Sequence, residues 1–461
     1  MQQMRGVSLQ EQMFSGPVFP LLIRLSLPIF AGMLFQLLYN ITDTIWISWI
    51  DLEDPSLVGG IGIIFPLIFL FMALGNGLMV GTASLVARAV GEQNEEHLDA
   101  AADSGLFMGL LITVVMVVGG YVFKDALVGG LGAEGAYYER ALEYFTYVLP
   151  GAAFIFMQNT LIGVLQGEGL VNYVMRSMII GTVLNIVLDP VFIFLFGWGV
   201  KGAALATVLA QGIGFLYVVY VFLAGKTRVP IHIRLSGIRG KVMAEIFSVG
   251  FPQTLGQAIM SLSFLIFNRI VIAIDPLALT AFTLCGRFDQ AILMPIFAVA
   301  SALVTMMGQN FGRRLYDRML IIWHVALRVS VATVAVIVLA IVLFAPRIFS
   351  LFTDVPEVLS YAVAQVRTME YAFIFASFGI LGRSFFQAIG KGWAGLLLVL
   401  LRLVLLAVPA VLLFVYVFDL GIRGVWFGLV FANVSTALTA ALWVPRTIRS
   451  MMEREPMPAL R

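Results

Sequence analysis

The chain has 461 residues, 61% of them hydrophobic and 12% charged, with a mean hydropathy of +1.00, whereas a soluble domain carries roughly 25% charged residues. That composition excludes a soluble globular fold and predicts an integral membrane protein. A formal net charge of +2, dispersed through short loops, argues against a nucleic-acid partner, and a single cysteine, Cys285, excludes an internal disulfide.

A polar N-terminal tail precedes the first apolar run, which has no small-residue cleavage site and is expected to remain as the first span. Apolar runs long enough to cross a bilayer of about 30 Å follow one another at 25 to 49, 58 to 82, 101 to 123, 141 to 164, 172 to 197, 201 to 224, 247 to 274, 277 to 307, 319 to 345, 358 to 382, 393 to 418 and 421 to 445. The expected fold is all-α and polytopic, with twelve transmembrane helices. Arg5, Arg24, Arg88, Arg176, the cluster from Lys226 to Lys241 that includes Arg234, Arg313, Arg314, Arg318, Arg383, Lys391, Arg446 and Arg449 fall on one side of the spans. Acids including Asp51, Glu53, Asp54, Glu134, Asp275, Asp354 and Glu357 fall on the other. The excess of positive charge places both termini in the cytoplasm of a cell held by its plasma membrane.

The polar stretch from Lys226 to Lys241, with Pro230 inside it, reads as a linker. It divides the chain into an N-terminal six-helix lobe (1–225), a cytoplasmic linker (226–246) and a C-terminal six-helix lobe (247–461). The halves resemble one another at separations of roughly 220 residues. Leu27-Pro28 returns as Phe251-Pro252, Arg88-Ala89-Val90-Gly91 as Gln309-Asn310-Phe311-Gly312, Gln166-Gly167-Glu168-Gly169 as Gln387-Ala388-Ile389-Gly390, and Gly199-Val200-Lys201-Gly202-Ala203 as Gly421-Ile422-Arg423-Gly424-Val425. Each half has an even number of spans, so the repeat is parallel, as in secondary transporters whose substrate path lies between the lobes. One chain carrying both repeats needs no partner and is expected to act as a monomer within the lipid bilayer.

Two acids stand inside spans of the first half. Asp43 is about 18 residues into the first run and Asp189 about 17 into the fifth, which at about 1.5 Å per residue gives similar depth. Asn40 and Asn185 share their helix faces at spacings of three and four. Thr207 enters at comparable height, Gln36 lies two turns before Asp43, and Pro190 displaces the helical hydrogen bond to the Ile186 carbonyl. An ionisable group in the membrane interior costs roughly 2.5 to 3.5 kcal/mol, which makes it a functional candidate. An oxygen-lined pocket without a cation suits a shared proton or a small hard cation such as Na⁺ at Asp43, Asp189 and Asn185.

The second half has Phe267 or Asn268 and Pro409 or Ala410 where these acids would recur. It carries Arg287, Asp289, Arg328, Arg367, Glu370 and Arg402 at intermediate depth instead. Either the acids pair with bases while other arginines snorkel, or Asp289 or Glu370 forms a second coupling or substrate site with Arg402 as a switchable partner. Met260, Met294, Met306, Met307 and nearby phenylalanines suit a soft lipophilic pocket as readily as ordinary packing. No phosphate-binding glycine loop occurs, and His97, His232 and His324 lack metal-ligand spacing. No cofactor is expected, and an ion gradient is the simplest energy source.

These residues give the chain a resemblance to the multidrug and toxic compound extrusion (MATE) family, from Leu25-Ser26-Leu27-Pro28 to about Trp443. The carrying segments are Leu38-Tyr39-Asn40 through Asp43 and Trp46, Gly167-Glu168-Gly169, Leu184-Asn185-Ile186-Val187-Leu188-Asp189-Pro190, Gly202-Ala203-Ala204 and Gly308-Gln309-Asn310-Phe311-Gly312. The resemblance implies two six-helix bundles around a V-shaped cleft and export of organic cations in exchange for H⁺ or Na⁺. It also implies a coupling site at Asp43 and Asp189 with Tyr39, Asn159, Asn185 and Thr207 as neighbours. Ile162 stands where relatives carry a further polar residue, and the seventh span has Gln253 and Gln257 where some branches carry an acid.

The expected function is therefore a cation-coupled antiporter of lipophilic small molecules. A lipid-linked oligosaccharide flippase of related fold is the alternative, one that favours more spans and a more basic cleft. An intramembrane aspartyl protease is disfavoured, because no Gly-x-Gly-Asp segment surrounds Asp189.

Overall fold

The computed structural model describes residues 9–49, 55–229 and 237–454, and within them the chain is helical throughout. Arg5, Asp51, Glu53, Asp54, Pro230, His232 and Arg234 lie outside the described residues. The helices are α1 (Leu9–Ser15), α2 (Val18–Ser48), α3 (Pro55–Glu92), α4 (Glu95–Gly130), α5 (Gly135–Val148), α6 (Gly151–Glu168), α7 (Val171–Pro190) and α8 (Gly199–Leu223). They continue as α9 (Gly240–Ile274), α10 (Pro276–Gly312), α11 (Tyr316–Phe349), α12 (Pro356–Met369), α13 (Ala372–Ala388), α14 (Gly392–Leu400), α15 (Val408–Leu412) and α16 (Ile422–Arg454). Hydrocarbon offers the backbone no hydrogen-bond partners, so each crossing satisfies its own.

Among the described residues ten helices are long and apolar enough to cross a membrane, and α5 with α6, bent by 47°, form an eleventh span. The region expected as the tenth span is α12 followed by α13, broken at Glu370 and Tyr371. The described residues thus give ten or eleven spans, close to the twelve expected, with α12 and α13 in the region of the remaining one. Caps fix several ends: Asn94 Oδ1 accepts from the His97 amide at 3.0 Å, and Asp275 Oδ1 accepts from the Leu277 amide at 2.8 Å before Pro276 starts α10.

The halves repeat in detail at an offset of 222. A π-helical turn, Val191–Leu195, follows Pro190 at the end of α7, and another, Leu413–Val417, follows α15. Gly199 and Gly421 both take positive φ, +53° and +54°. In each half a glycine then packs on the chain within that turn: a Cβ on Gly202 would sit 2.6 Å from the Phe192 carbonyl oxygen, and one on Gly424 2.8 Å from the Phe414 carbonyl carbon.

Packing divides the chain into two units. One is Pro28–Thr254; the other joins the described residues up to Leu27 with those from Leu255 onwards. The divisions fall inside α2 and α9, beside Pro28 and Pro252. In the first unit α3 and α6 meet backbone to backbone. Gly163 and Gly167, four apart on α6, would place a Cβ 2.6 Å from the Met79 carbonyl oxygen and 2.9 Å from that of Ala83. The start of α9 docks on α3 through Gly77, Gly81 and Gly250, with Thr254 Oγ1 donating to the Ala73 carbonyl at 3.1 Å and Arg88 bridging Glu245 at 3.2 Å. In the second unit Arg318 donates to the carbonyls of Gln12, Met13 and Gly16 at 3.1, 2.9 and 2.6 Å, capping α1, and Asn310 Nδ2 donates to Met13 at 3.2 Å.

Without its glycines the α3–α6 contact is overpacked. Gly163→Leu is expected to lower the thermal unfolding midpoint of the detergent-purified protein, with a destabilisation of about 1–3 kcal/mol or more. Gly119→Leu, at a position with no atom within 4 Å of its Cβ, is expected to leave the midpoint unchanged. Equal midpoints for both variants would contradict this packing.

Candidate functional site

The first unit gathers most of its expected polar residues at the junction of α2, α5, α7 and α8. Asp43 on α2 and Asp189 at the end of α7 lie close enough to interact. Two carboxylates only accept, so this contact closes only when a proton lies between them. Asn185, one turn before Asp189, donates from Nδ2 to Asp189 Oδ1 at 3.1 Å and to Thr207 Oγ1 at 3.3 Å. The Thr207 hydroxyl also meets the phenols of Tyr39 and Tyr144. Asn185, Asp189 and Thr207 are buried.

Three oxygens remain buried without a hydrogen-bond partner: Asp43 Oδ1, Asn185 Oδ1 and Asp189 Oδ2. Unsatisfied buried acceptors are costly, and three in one pocket point to a proton or cation as the missing partner. No basic side chain contributes to the field at either acid. Among the described residues no group of three or more His, Cys, Asp or Glu is placed to hold a metal ion. Trp46, one turn beyond Asp43, packs edge to face on Phe194 of the π-helical turn, with ring centroids 6.2 Å apart.

Not every expected residue joins this pocket. Gln36 and Asn40 are exposed on α2. The Asn159 amide lies against α3 instead, where a Cβ on Gly75 would stand 2.5 Å from its Nδ2. Its place in the expectation came from the family resemblance, and by helical rise it lies lower than the two aspartates. Ile162 is buried in the α3–α6 core. On α9, Gln253 is buried and Gln257 half-buried, in different units. Tyr144 was absent from the sequence expectation; it is a lone phenol on an amphipathic helix whose other buried residues are Ala141 and Phe145.

The second unit corrects two expectations. Among the described residues Asp289 and Glu370 pair with no arginine; their carboxyls lie close to one another, and Asp289 Oδ1, Glu370 Oε1 and Glu370 Oε2 are buried without a hydrogen-bond partner. Glu370 is fully buried at the break between α12 and α13, and the surroundings are apolar, with Cys285, Ile292 and Val366 in one core cluster. Arg287, Arg328 and Arg367 are exposed on the outer faces of their helices. Arg402 is not a partner of either acid; the charge it approaches is that of Arg383. The position that answers to Asp189 at the offset of 222 is Val411, packed on Gly428.

Comparison with known proteins accords with this architecture. The family model MatE matches residues 28–191 and 252–413, one segment in each half. The chain is 24% identical over 429 residues to the multidrug export protein MepA of Staphylococcus aureus, covering 93% of this chain and 94% of that protein. It superposes with a TM-score of 0.91, at 31% identity and covering 97% of this chain and 100% of the other, on a multidrug resistance MATE family transporter of the MOP superfamily in an outward-facing conformation. The MATE transporter ClbM in complex with Rb⁺ is similar at 34% identity and a TM-score of 0.88, with 97% and 100% covered. Two repeated six-span halves, the match in each of them and the likeness over nearly the whole chain make this protein a member of the MatE family, the MATE multidrug efflux transporters of the membrane.

Proposed function

We propose that the protein is a cation-coupled antiporter that exports organic, lipophilic and cationic small molecules by alternating access, with Asp43 and Asp189 as the coupling pair. The observation that carries this reading is the carboxyl–carboxyl contact surrounded by three unpartnered oxygens. With one proton the pair is singly charged and closed. Without it, two unit charges about 4 Å apart repel by about 4 kcal/mol at the effective dielectric of a protein site, comparable with the roughly 5.5 kcal/mol that moves a two-state equilibrium from 1:99 to 99:1. Either H⁺ or Na⁺ relieves the repulsion, so the two ions compete for one pocket. Binding then biases the packing of α2 against α7, and a substrate that prefers the ion-free arrangement is released when the ion enters.

Asn185 and Thr207 orient the pair, with Tyr39 as a further oxygen donor to a bound cation. Gln36, Asn40 and Gln257 remain candidates for substrate contact. The second pair, Asp289 and Glu370, which also leaves three buried oxygens unpartnered, serves structurally in this reading, holding a proton through the cycle. The protein works as a monomer in the plasma membrane with both termini in the cytoplasm, the side of the excess Lys and Arg.

In proteoliposomes with an imposed pH or Na⁺ gradient, Asp43→Asn is expected to abolish substrate accumulation while eluting as a monodisperse protein; undiminished transport would sink the assignment. Na⁺ affinity of the wild type is expected to tighten as pH rises, by up to about tenfold per unit where protons compete. That dependence disappears in Asp189→Asn, and isothermal titration at several pH values measures it. Glu370→Gln, whose amide can still donate to Asp289, is expected to retain coupled transport, and its loss with folding intact would assign the second pair to coupling as well.

A further inference from the structure

A groove of about 370 Å³ runs along α8 in the first unit, lined by that helix from Leu205 to Leu216 together with Phe154 of α6 and Phe192 of the π-helical turn. No lining residue carries a polar side chain. Leu205, Leu209, Gly212 and Leu216 repeat at spacings of four and three, so one face of α8 forms its length. Gly212 lets the Phe154 ring approach that face, since a Cβ there would sit 3.3 Å from Cε2 of the ring. Leu209 and Leu216 are 43% and 61% exposed, which leaves the groove open at the surface. Both α8 and the span Val171–Leu195 that ends in the π-helical turn are long and apolar enough to cross a membrane. The groove therefore opens on a membrane-spanning part of the unit.

Its chemistry selects the occupant. A ligand with polar groups would leave them unpaired against this lining, whereas an aliphatic chain restores the dispersion contacts that an open groove forfeits. From Leu205 to Leu216 the helix rises about 16 Å, close to half of the roughly 30 Å hydrocarbon core and thus the reach of a chain in one leaflet. A cation stands at one end. Lys201 lies four residues before Leu205 on the same face of α8, and its ammonium rests over the Tyr147 ring at 4.7 Å. Among the described residues no carboxylate pairs with it, and Glu143, one turn before Tyr147 on α5, bridges Arg140 at 3.8 Å. Beside Lys201 the exposed rings of Phe196 and Trp198 lie 5.1 Å apart, and tryptophan is the kind of side chain that settles at a membrane–water interface. Interface, positive charge and apolar groove follow one another in the order of a lipid's headgroup, phosphate and chain.

We propose that this groove holds one acyl chain of an anionic phospholipid of the surrounding bilayer, with Lys201 contacting its phosphate. Lysine serves such a group as a point charge, without the bidentate geometry that arginine would impose. The same charge disfavours an organic cation, so the groove is not a site for the compounds whose export is proposed above. Thr207 of the ion pocket lies off the face that Leu205, Leu209, Gly212 and Leu216 share. Lipid binding here is therefore independent of the coupling assignment, and its test involves no ion gradient.

The test titrates the full-length protein in neutral detergent with dioleoyl phosphatidylglycerol or dioleoyl phosphatidylcholine and counts retained lipids by native mass spectrometry. The wild type is expected to retain one phosphatidylglycerol with about fivefold higher affinity than the phosphatidylcholine, the effect of one lysine near an anionic headgroup. Leu209→Trp, which fills the groove from its open side, should weaken both lipids by about tenfold or more. Lys201→Gln should remove the preference while leaving phosphatidylcholine binding as it was, and Val115→Trp, at a 60% exposed position of α4, should change neither. Wild-type lipid affinity in monodisperse Leu209→Trp, a preference that survives in Lys201→Gln, or no retained lipid on the wild type would overturn the proposal. Displacement of phosphatidylglycerol by an equal concentration of tetraphenylphosphonium would overturn it too, by assigning the groove to a lipophilic cation.

Discussion

The contact between two carboxyl groups inside the membrane is the constraint from which the functional half of this structure follows. Asp43 and Asp189 come from helices far apart in sequence, and no base approaches either. Hydrocarbon supplies no water to solvate a second negative charge, so the pair needs a proton or a cation to remain closed. The amide of Asn185 and the hydroxyl of Thr207 fix the orientation of Asp189 without neutralising it. The pocket is therefore ordered, with Asp43 Oδ1, Asn185 Oδ1 and Asp189 Oδ2 left unpartnered, as the proposed reversible ion binding requires.

The rest of the fold supplies a backbone on which such a site can be placed in one half alone. Both halves end their fifth span with a π-helical turn and press a glycine of the sixth against it, at Gly202 and Gly424. On that shared frame Asp189 is answered by Val411, and the acid pair of the second half is assembled elsewhere, at the break of a bent span. Asymmetry thus resides in side chains, while close packing of small residues keeps the frames alike. Burial of Glu370 beside an apolar core shows the same frame carrying an acid elsewhere.

Much of this was legible in the sequence. Spans follow from hydropathy because every membrane crossing must be apolar and helical, but their ends do not: α3 continues to Glu92 and α9 begins at Gly240, since the polar ends outside the membrane carry no hydropathy signal. Depth counting brought Asp43, Asp189, Asn185 and Thr207 together because helical rise is constant. Asn159, expected from the family resemblance alone, falls lower by the same count, and its amide lies against α3. Glu370 was placed at the right depth, but its partner was hidden by the break after Met369, which resets the helix face. Arg383 reads as a loop charge until α13 is seen to extend past it. Exchange of the first segments of α2 and α9 between the units leaves only Pro28 and Pro252 as traces.

The shared proton is the central claim, and proton release on cation binding measures it most directly. In weakly buffered detergent solution, addition of Na⁺ to the purified protein is expected to release about one proton per chain near neutral pH, because cation ligands must be deprotonated. The release should vanish in Asp43→Asn and in Asp189→Asn and persist in Glu370→Gln. Na⁺ binding without proton release in the wild type, or unchanged release from the Asp189→Asn protein, would contradict the account.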